Sequence, residues 1–151
     1  IKKFHYILKD GTLTESEKSW FNVGEFKKLK NYVGNIETSL PDNVSSDMED
    51  LLLWYHNLTN ITLEDIIEFH VKFLEIHPFQ DGNGRVGRMI MFKECLHNDI
   101  IPFYIEDRNK AFYARGLKEY QTKNYKGYLI DTCLNSQDNY TEMAKYFLEE
   151  N

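Results

Sequence analysis

The sequence predicts an all-α fold with one small β-hairpin. Apolar residues recur at helical spacing in six segments, and the chain lacks the alternation of strands and helices that is typical of α/β proteins. Only residues 35–45 combine β-capable residues with turn formers and lack a helical period. At 151 residues the chain has the length of one domain, so we expect residues 1–151 to form a single domain.

The first two helices are predicted from apolar spacing and from turn residues. Four residues at helical spacing open the chain: Ile1, Phe4, His5 and Leu8. Gly11 ends this pattern, and because a helix is under way at residue 1, we expect the chain to be excised from a longer protein. Residues 12–34 are predicted to form loops and short elements. A second helix is expected from a cap at Ser45 or Ser46 to about Asn57.

Four further helices are predicted in the rest of the chain. Thr62 and Asp65 form a variant of the capping box and open a helix that carries a mainly apolar stripe from Leu63 to Leu74. His77 is expected at or just past its end, because the proline that follows disfavours helix for the preceding residue. The next helix ends near residues 98–99. Two more are expected over about 109–120 and 125–147, the last with a candidate break at 138–139.

Composition and charge exclude several classes of protein. The net charge of −6 and the pI of about 5.4 argue against a general nucleic-acid-binding protein, which needs basic side chains to neutralise phosphates. No apolar run is long enough to span a bilayer, and no signal peptide is recognisable. Cys95 and Cys133 lie in apolar helical contexts and are expected to be reduced core thiols. We therefore expect a cytoplasmic location.

The segment from His77 to Arg88 concentrates the residues that can carry chemistry. It reads His77-Pro78-Phe79-Gln80-Asp81-Gly82-Asn83-Gly84-Arg85-Val86-Gly87-Arg88 and is called the motif segment below. Its Gly-Asn-Gly portion is predicted at a helix start, where unpaired backbone N–H groups and the helix dipole favour an anion. Glycines allow the backbone to approach a phosphate closely. Arg85 and Arg88 project from the first helical turns, and guanidinium groups suit phosphate oxygens.

Two other side chains complete the predicted site. Asp81 is a candidate ligand of Mg²⁺, which is usually held by one or two carboxylates together with substrate phosphates. His77 is a candidate general base. A bare Gly-Asn-Gly-Arg is more often a plain turn with a solvated arginine, but the added histidine, aspartate and second arginine favour a nucleoside-polyphosphate site. His70 lies two turns from His77, too far to share a zinc ion.

The motif segment resembles the signature of Fic domains, His-x-Phe-x-Asp/Glu-Gly-Asn-Gly-Arg-x-x-Arg, and matches every defined position. The resemblance extends from about Phe4 to about Phe147. It implies a Fic-type helical bundle with a β-hairpin flap over the active site. It also implies a Mg²⁺-dependent protein adenylyltransferase, which transfers AMP from ATP to a serine, threonine or tyrosine hydroxyl of a target protein.

The resemblance assigns roles residue by residue. His77 would accept the proton of the target hydroxyl, and Asp81 would hold Mg²⁺. The residues implied to bind the phosphates are Gly82, Asn83, Gly84, Arg85 and Arg88. Asn109 and Tyr113 fall where the family contacts the nucleotide. Ile36, Glu37, Thr38 and Ser39 fall in the flap, which aligns the target backbone by strand addition; a plain surface loop is the alternative there.

The sequence leaves other functions open. One branch of the family carries Lys at the position of Gly84 and phosphorylates its targets, so Gly84 argues against a kinase. A transferase that uses another nucleotide donor, an enzyme that removes AMP and a non-catalytic nucleotide-binding module remain alternatives. The resemblance also implies candidate partners: an inhibitory helix upstream in cis, an antitoxin in trans or a second copy in a homo-oligomer.

Overall fold

The computed structural model describes residues 1–17, 20–34 and 36–149. In this part of the chain six helices are present: α1 (Lys2–Lys9), α2 (Val44–His56), α3 (Leu63–Ile76), α4 (Asn83–His97), α5 (Lys110–Lys123) and α6 (Gly127–Glu149). Strands β1 (Tyr32–Val33) and β2 (Ile36–Glu37) form an antiparallel pair with Tyr32 opposite Glu37. The predicted all-α fold with a small hairpin is confirmed. Asn35, the first residue of the predicted 35–45 segment, lies outside the described residues.

Helix α3 begins and ends as its sequence predicts. The Thr62 N–H and hydroxyl both donate to Asp65 Oδ2, at 2.8 and 2.7 Å, and the Asp65 N–H donates to Thr62 Oγ1 at 3.3 Å. These bonds satisfy donors that a helix start leaves without partners. At the other end the His77 N–H donates to Phe73 O at 3.0 Å, and His77 takes a φ of +52° that stops the helix.

Helix α2 and the hairpin both start earlier than predicted. A 3₁₀ turn over Pro41–Asn43 leads directly into α2, so Ser45 and Ser46 lie inside the helix and the predicted serine cap is wrong. Proline at the first position of that turn presets the helical φ, which accounts for the earlier start. The hairpin likewise uses Tyr32–Val33, upstream of residue 35.

The two C-terminal helices both end later than predicted. Helix α6 continues through residues 138–139 without a break. Its Thr132, Ser136 and Thr141 hydroxyls donate to carbonyls one turn earlier in the same helix, so they are satisfied without interrupting it. Helix α5 runs on to Lys123, and Asn124 ends it in the left-handed conformation.

The structure divides into two compact units, and the first contains residues 1–60 and 68–90. Phe79 lies at the centre of its core and has no exposed surface. The Phe79 ring stacks on the His5 ring at 4.0 Å between centroids and contacts Phe73 at 6.4 Å. An aromatic ring in the middle of the motif segment therefore anchors that segment in the core.

The second unit contains residues 61–67 and the chain from Met91 onward. Helices α5 and α6 approach closely at Gly116, where a Cβ would lie 2.8 Å from the Cα of Leu129. Cys95 and Cys133 are buried free thiols, and burial raises their pKa values to about 11 and about 12. Among the described residues, no helix combines the length and apolar character needed to cross a membrane.

Candidate functional site

The His77 ring is held by the last turn of α3. Its Nδ1 lies 3.2 Å from the Leu74 carbonyl oxygen, and because a carbonyl can only accept, Nδ1–H is the donor. In the neutral ring this leaves Nε2 with a lone pair. The side chain is half-buried, and among the described residues Nε2 has no hydrogen-bond partner. The contact fixes both the tautomer and the orientation of the predicted base.

The pKa of His77 is lowered from its ordinary value. Burial is the largest cause, and the positive charge of Lys27 acts in the same direction. The Leu74 carbonyl and the Asp81 carboxylate oppose it by favouring the protonated ring. The net effect keeps the imidazole neutral near pH 7, which is the state a general base needs.

Asn83 closes the loop that follows His77. Its Oδ1 accepts the Phe79 N–H at 2.8 Å, and its Nδ2 donates to Phe79 O at 2.7 Å. The residue is 1% exposed, so the oxygen and the nitrogen of the side-chain amide both hydrogen-bond within the loop. The Asn83 side chain therefore shapes the loop.

Gly82 allows the chain to turn into α4. Its φ is +83°, a conformation that other residues adopt only at a cost, and its carbonyl accepts the Val86 N–H at 3.0 Å. A helix start leaves the N–H groups of its first turn without intrahelical acceptors, which here belong to Asn83, Gly84 and Arg85. These donors and the helix dipole form the predicted anion-binding region.

Asp81 is paired with a lysine that the sequence analysis missed. Lys9 Nζ, on α1, lies 2.9 Å from Asp81 Oδ2, and Arg85 Nη2 lies 3.4 Å from the same oxygen. Burial raises the pKa of Asp81, but the Lys9 hydrogen bond, the Gly82 N–H and the two positive charges outweigh it, so the net shift is downward. The Asp81 carboxyl group is ionised at neutral pH.

This carboxylate suits Mg²⁺ only in part. The structure finds no cluster of three or more candidate metal ligands among the residues it describes. The Asp81 side chain is 57% exposed, and its Oδ1 is not taken up by Lys9 or Arg85. A single carboxylate fits Mg²⁺ that brings its remaining oxygen ligands from nucleotide phosphates and water.

The second arginine of the motif segment lies close to Gly84. A Cβ on Gly84 would be 3.5 Å from Arg88 Nη1, which places this guanidinium beside the first turn of α4. Burial lowers the pKa of His70 to about 3, and the Arg88 charge adds to the effect. Gly87, which the sequence analysis did not single out, packs directly against that ring: a Cβ there would lie 2.7 Å from two His70 atoms.

A buried polar cluster ties the hairpin to the backbone around His77. Lys27 Nζ donates to Asn31 Oδ1 at 2.7 Å, to Thr38 Oγ1 at 2.8 Å and to Ile76 O at 3.1 Å. Asn31 Nδ2 donates to Phe79 O at 2.9 Å. Lys27 is 4% exposed, and burial lowers its pKa to about 8. Nothing in the sequence marked Lys27 and Asn31 as special, because their partners are distant in the chain.

The predicted flap residues divide into exposed and anchored ones. Ile36 and Glu37 are exposed on β2, and among the described residues β2 pairs only with β1. Thr38 is buried, and its hydroxyl donates to Asn31 O at 2.9 Å. Ser39 is half-buried. The flap role of all four stays a prediction.

The structure brings the predicted residues of the motif segment and the hairpin together in the first unit, whereas Asn109 and Tyr113 belong to the second. Asn109 lines a cavity of about 550 Å³ together with Phe112 and Tyr128, whose rings stack at 6.5 Å. Tyr113 is 7% exposed. Their contact with a nucleotide stays a prediction.

Comparison with known proteins finds one family. The model of the Fic/DOC family matches residues 1–95. Protein adenylyltransferase fic-1 of Caenorhabditis elegans is 26% identical over 98 residues, which cover 63% of this chain and 19% of the relative. Protein adenylyltransferase Fic of Drosophila melanogaster is 30% identical over 98 residues, which cover 63% of this chain and 20% of the relative. The chain thus spans about a fifth of the length of these curated relatives.

Solved structures share the fold. Fic-1 (residues 134–508) of C. elegans superposes with a TM-score of 0.71 at 19% identity, covering 85% of this chain and 39% of that one. A Fic family protein of Desulfovibrio desulfuricans superposes with a TM-score of 0.71 at 24% identity, and the match covers 94% of this chain and 45% of that one. BepC of Bartonella tribocorum, solved with bound AMPPNP, superposes with a TM-score of 0.59 at 14% identity. This match covers 78% of this chain and 65% of that one.

Proposed function

This chain belongs to the Fic/DOC family, and we propose that it transfers AMP from ATP to a serine, threonine or tyrosine hydroxyl of a target protein. The relatives named protein adenylyltransferase support this reaction. The observation that carries the proposal is the His77 ring, whose Nδ1 is committed to Leu74 and whose Nε2 is left as a base. A neutral, oriented imidazole beside an anion-binding helix start fits hydroxyl activation against a polyphosphate.

In the proposed step the target hydroxyl oxygen attacks the α-phosphorus of ATP. Its proton passes to His77 Nε2, a bond forms between the hydroxyl oxygen and the α-phosphorus, and the bond from that phosphorus to the bridging oxygen breaks. Pyrophosphate leaves with the electrons of the broken bond. The protein contributes mainly position and charge stabilisation, as in other phosphoryl transfers.

The remaining residues of the motif segment would bind the charged part of the nucleotide. The N–H groups of Asn83, Gly84 and Arg85 and the helix dipole favour the phosphates. Arg85 and Arg88 would contact the β- and γ-phosphates through guanidinium hydrogen bonds. Asp81 would hold Mg²⁺, which would supply positive charge against the phosphate oxygens.

The experiment uses ATP labelled in turn at the α- and γ-phosphate, together with Mg²⁺ and proteins of a cell extract. We expect label from the α-phosphate alone, on a protein band, and loss of that label in His77→Ala while ATP binding stays within a few-fold. His97→Ala is the matched control, because His97 is exposed at the far end of α4. Retained transfer in His77→Ala would remove His77 as the base.

The other outcomes separate the alternatives. Label from the γ-phosphate alone would indicate a kinase despite Gly84. No label with ATP still bound would favour another nucleotide donor or a non-catalytic module, and loss of label from a pre-modified protein would indicate removal of AMP. Growth arrest on expression, relieved by a neighbouring gene product, would indicate an antitoxin partner. An inhibitory helix in cis and a homo-oligomer stay predictions.

A further inference from the structure

A groove of about 820 Å³ lies beside the hairpin in the first unit. One wall is the chain that follows β2, from Glu37 to Leu40. The other walls come from α2 and from the last turns of α3. Ile76 lines the groove, and His77 is the next residue, so the groove is continuous with the backbone that carries the proposed base. Its volume is that of a site for a compact ligand or a few side chains.

The groove combines an apolar surface with an excess of negative charge. Leu40, Leu51 and Trp54 supply the apolar part. Four carboxylates line it: Glu37, Asp47, Asp50 and Glu75. Among the described lining residues, Lys72 is the one cationic side chain. Its Nζ lies 3.7 Å from the centroid of the Trp54 ring and 3.0 Å from Glu68 Oε1, and its charge also acts on Glu75.

The cations near these carboxylates are Lys30, Lys72 and the buried Lys27, so the four carboxylates outnumber them. Glu37 lies 3.8 Å from Lys30 Nζ, an exposed pair. Asp47 interacts electrostatically with Lys27 and Glu75 with Lys72, but neither carboxylate forms an ion pair within 4 Å with another described residue. Partial desolvation raises the pKa of Glu75, and Lys72 opposes the effect only in part. A cation from outside the chain would stabilise these carboxylates in their ionised form.

The hairpin gives the groove a backbone edge as well. Ile36 and Glu37 are exposed on β2, and Leu40, at the end of this wall, has extended backbone angles. Thr38, in the middle of this wall, is fixed by the Lys27–Asn31 cluster. A fixed extended edge beside pockets for side chains is the arrangement that proteins use to bind an extended peptide.

We propose that this groove binds a basic segment of the target protein, with lysine or arginine side chains on Asp47, Asp50 and Glu75 and an apolar side chain on Trp54 and Leu51. The proposal rests on the proposed function, because it specifies which hydroxyl groups reach His77: those that lie in or beside basic sequences. Charge complementarity selects such a segment and disfavours an acidic one.

The test measures peptide binding in the absence of ATP. Three fluorescein-labelled peptides of equal length share a central serine and a leucine and carry flanking arginines, glutamines or glutamates. Fluorescence anisotropy gives each dissociation constant. We expect the arginine peptide to bind about tenfold more tightly than the glutamine peptide, because two or three exposed charge pairs each add a small factor to the affinity. The glutamate peptide is expected to bind most weakly, and the preference is expected to shrink at high salt.

Two matched double variants locate the effect. Asp47→Asn with Asp50→Asn removes two carboxylates of the groove on α2 and is expected to abolish most of the preference for the arginine peptide. Asp131→Asn with Asp138→Asn removes two aspartates of α6 that line the separate cavity beside Asn109, with the same change in net charge. This control is expected to bind all three peptides as the parent chain does.

The outcomes distinguish this proposal from the proposed function. Equal or undetectable binding of the three peptides, or equal losses in the two double variants, would overturn the groove proposal even if adenylyl transfer is observed. A preference for the arginine peptide that is lost only in the α2 variant would support the groove even if no label is transferred from ATP, in which case the proposed reaction alone would fail.

Discussion

Lys9 Nζ lies 2.9 Å from Asp81 Oδ2, and the two residues are 72 positions apart in the chain. The lysine side chain is 10% exposed and the aspartate side chain 57% exposed, so the ammonium is enclosed and the carboxylate faces outward. The contact attaches α1 to the motif segment. It also places a fixed positive charge at the carboxylate that is predicted to hold Mg²⁺.

The Lys9 charge is expected to weaken metal binding at Asp81. Lys9→Met keeps the apolar part of the side chain but removes the cation that shares Asp81 Oδ2. A partly exposed ion pair contributes up to about 1 kcal/mol, so we expect the half-saturating metal concentration to fall about three- to fivefold. Paramagnetic resonance of free Mn²⁺, titrated in the presence of AMPPNP, measures this concentration.

Lys2→Met is the control for that titration. Lys2, on the same helix, forms an ion pair of the same 2.9 Å length with Glu25, away from Asp81. Its replacement should leave metal binding unchanged. Equal or weaker metal binding in Lys9→Met would show that Lys9 does not compete for Asp81.

The lowered pKa of His77 predicts the acidic side of the pH profile. A general base is active when neutral, so kcat/KM should fall as the pH drops through the pKa of His77, with a midpoint below 6.5. Lys27→Met removes a positive charge that lowers this pKa, so the midpoint should move to higher pH. Lys28→Met, at the exposed neighbouring position, should leave the midpoint in place. A midpoint above 6.5 in the parent chain would contradict the buried, neutral base.

Two glycines of α4 should respond oppositely to alanine. A Cβ at Gly87 would lie 2.7 Å from His70 atoms and 3.3 Å from Phe73 Cδ1, so Gly87→Ala should lower the free energy of unfolding by about 1–3 kcal/mol. A Cβ at Gly84 meets only Arg88 Nη1 at 3.5 Å, so Gly84→Ala should leave stability unchanged or raise it by up to about 1 kcal/mol. Urea denaturation measures both.

Nucleotide binding provides a second test of Gly84→Ala. The Gly84 Cβ would lie at the helix start where phosphates are expected to approach, so Gly84→Ala should bind ATP more weakly in a fully folded protein. Unimpaired ATP binding by Gly84→Ala would argue that the phosphates do not approach this turn.

The Asn83 side chain is expected to contribute to the stability of the fold, because it hydrogen-bonds to the backbone of Phe79. Asn83→Ala leaves the buried Phe79 N–H without its acceptor and removes one of the two side-chain donors to Phe79 O, the other being Asn31 Nδ2. The expected cost is about 2–4 kcal/mol in the free energy of unfolding. Asn98→Ala, at the other end of α4, removes one half-buried bond from Nδ2 to Glu94 O and should cost about 1 kcal/mol or less. Similar losses in the two variants would show that the Asn83 clamp adds little.

Much of the fold followed from local patterns in the sequence. The capping pair Thr62–Asp65, the stop at His77 before Pro78 and the end of α4 near residue 98 were all predicted, because each depends on residues within a few positions of one another. The prediction of a serine cap for α2 was wrong for a local reason as well. Pro41 starts a 3₁₀ turn that leads into the helix before the two serines. The predicted break in α6 is not present, because hydroxyl groups in that helix donate to the carbonyl groups of its own backbone.

The motif segment by itself determined the family and the types of group in the candidate site, since a candidate base, a carboxylate, a glycine-rich helix start and two arginines are close together in sequence. Only the tertiary structure decided which groups control them. Lys9 pairs with Asp81, His5 stacks on Phe79, and a cluster of three residues fixes the hairpin: Lys27, Asn31 and Thr38. These contacts join positions far apart in the chain, and the burial that shifts the pKa values of His77 and Lys27 exists only once the core has formed.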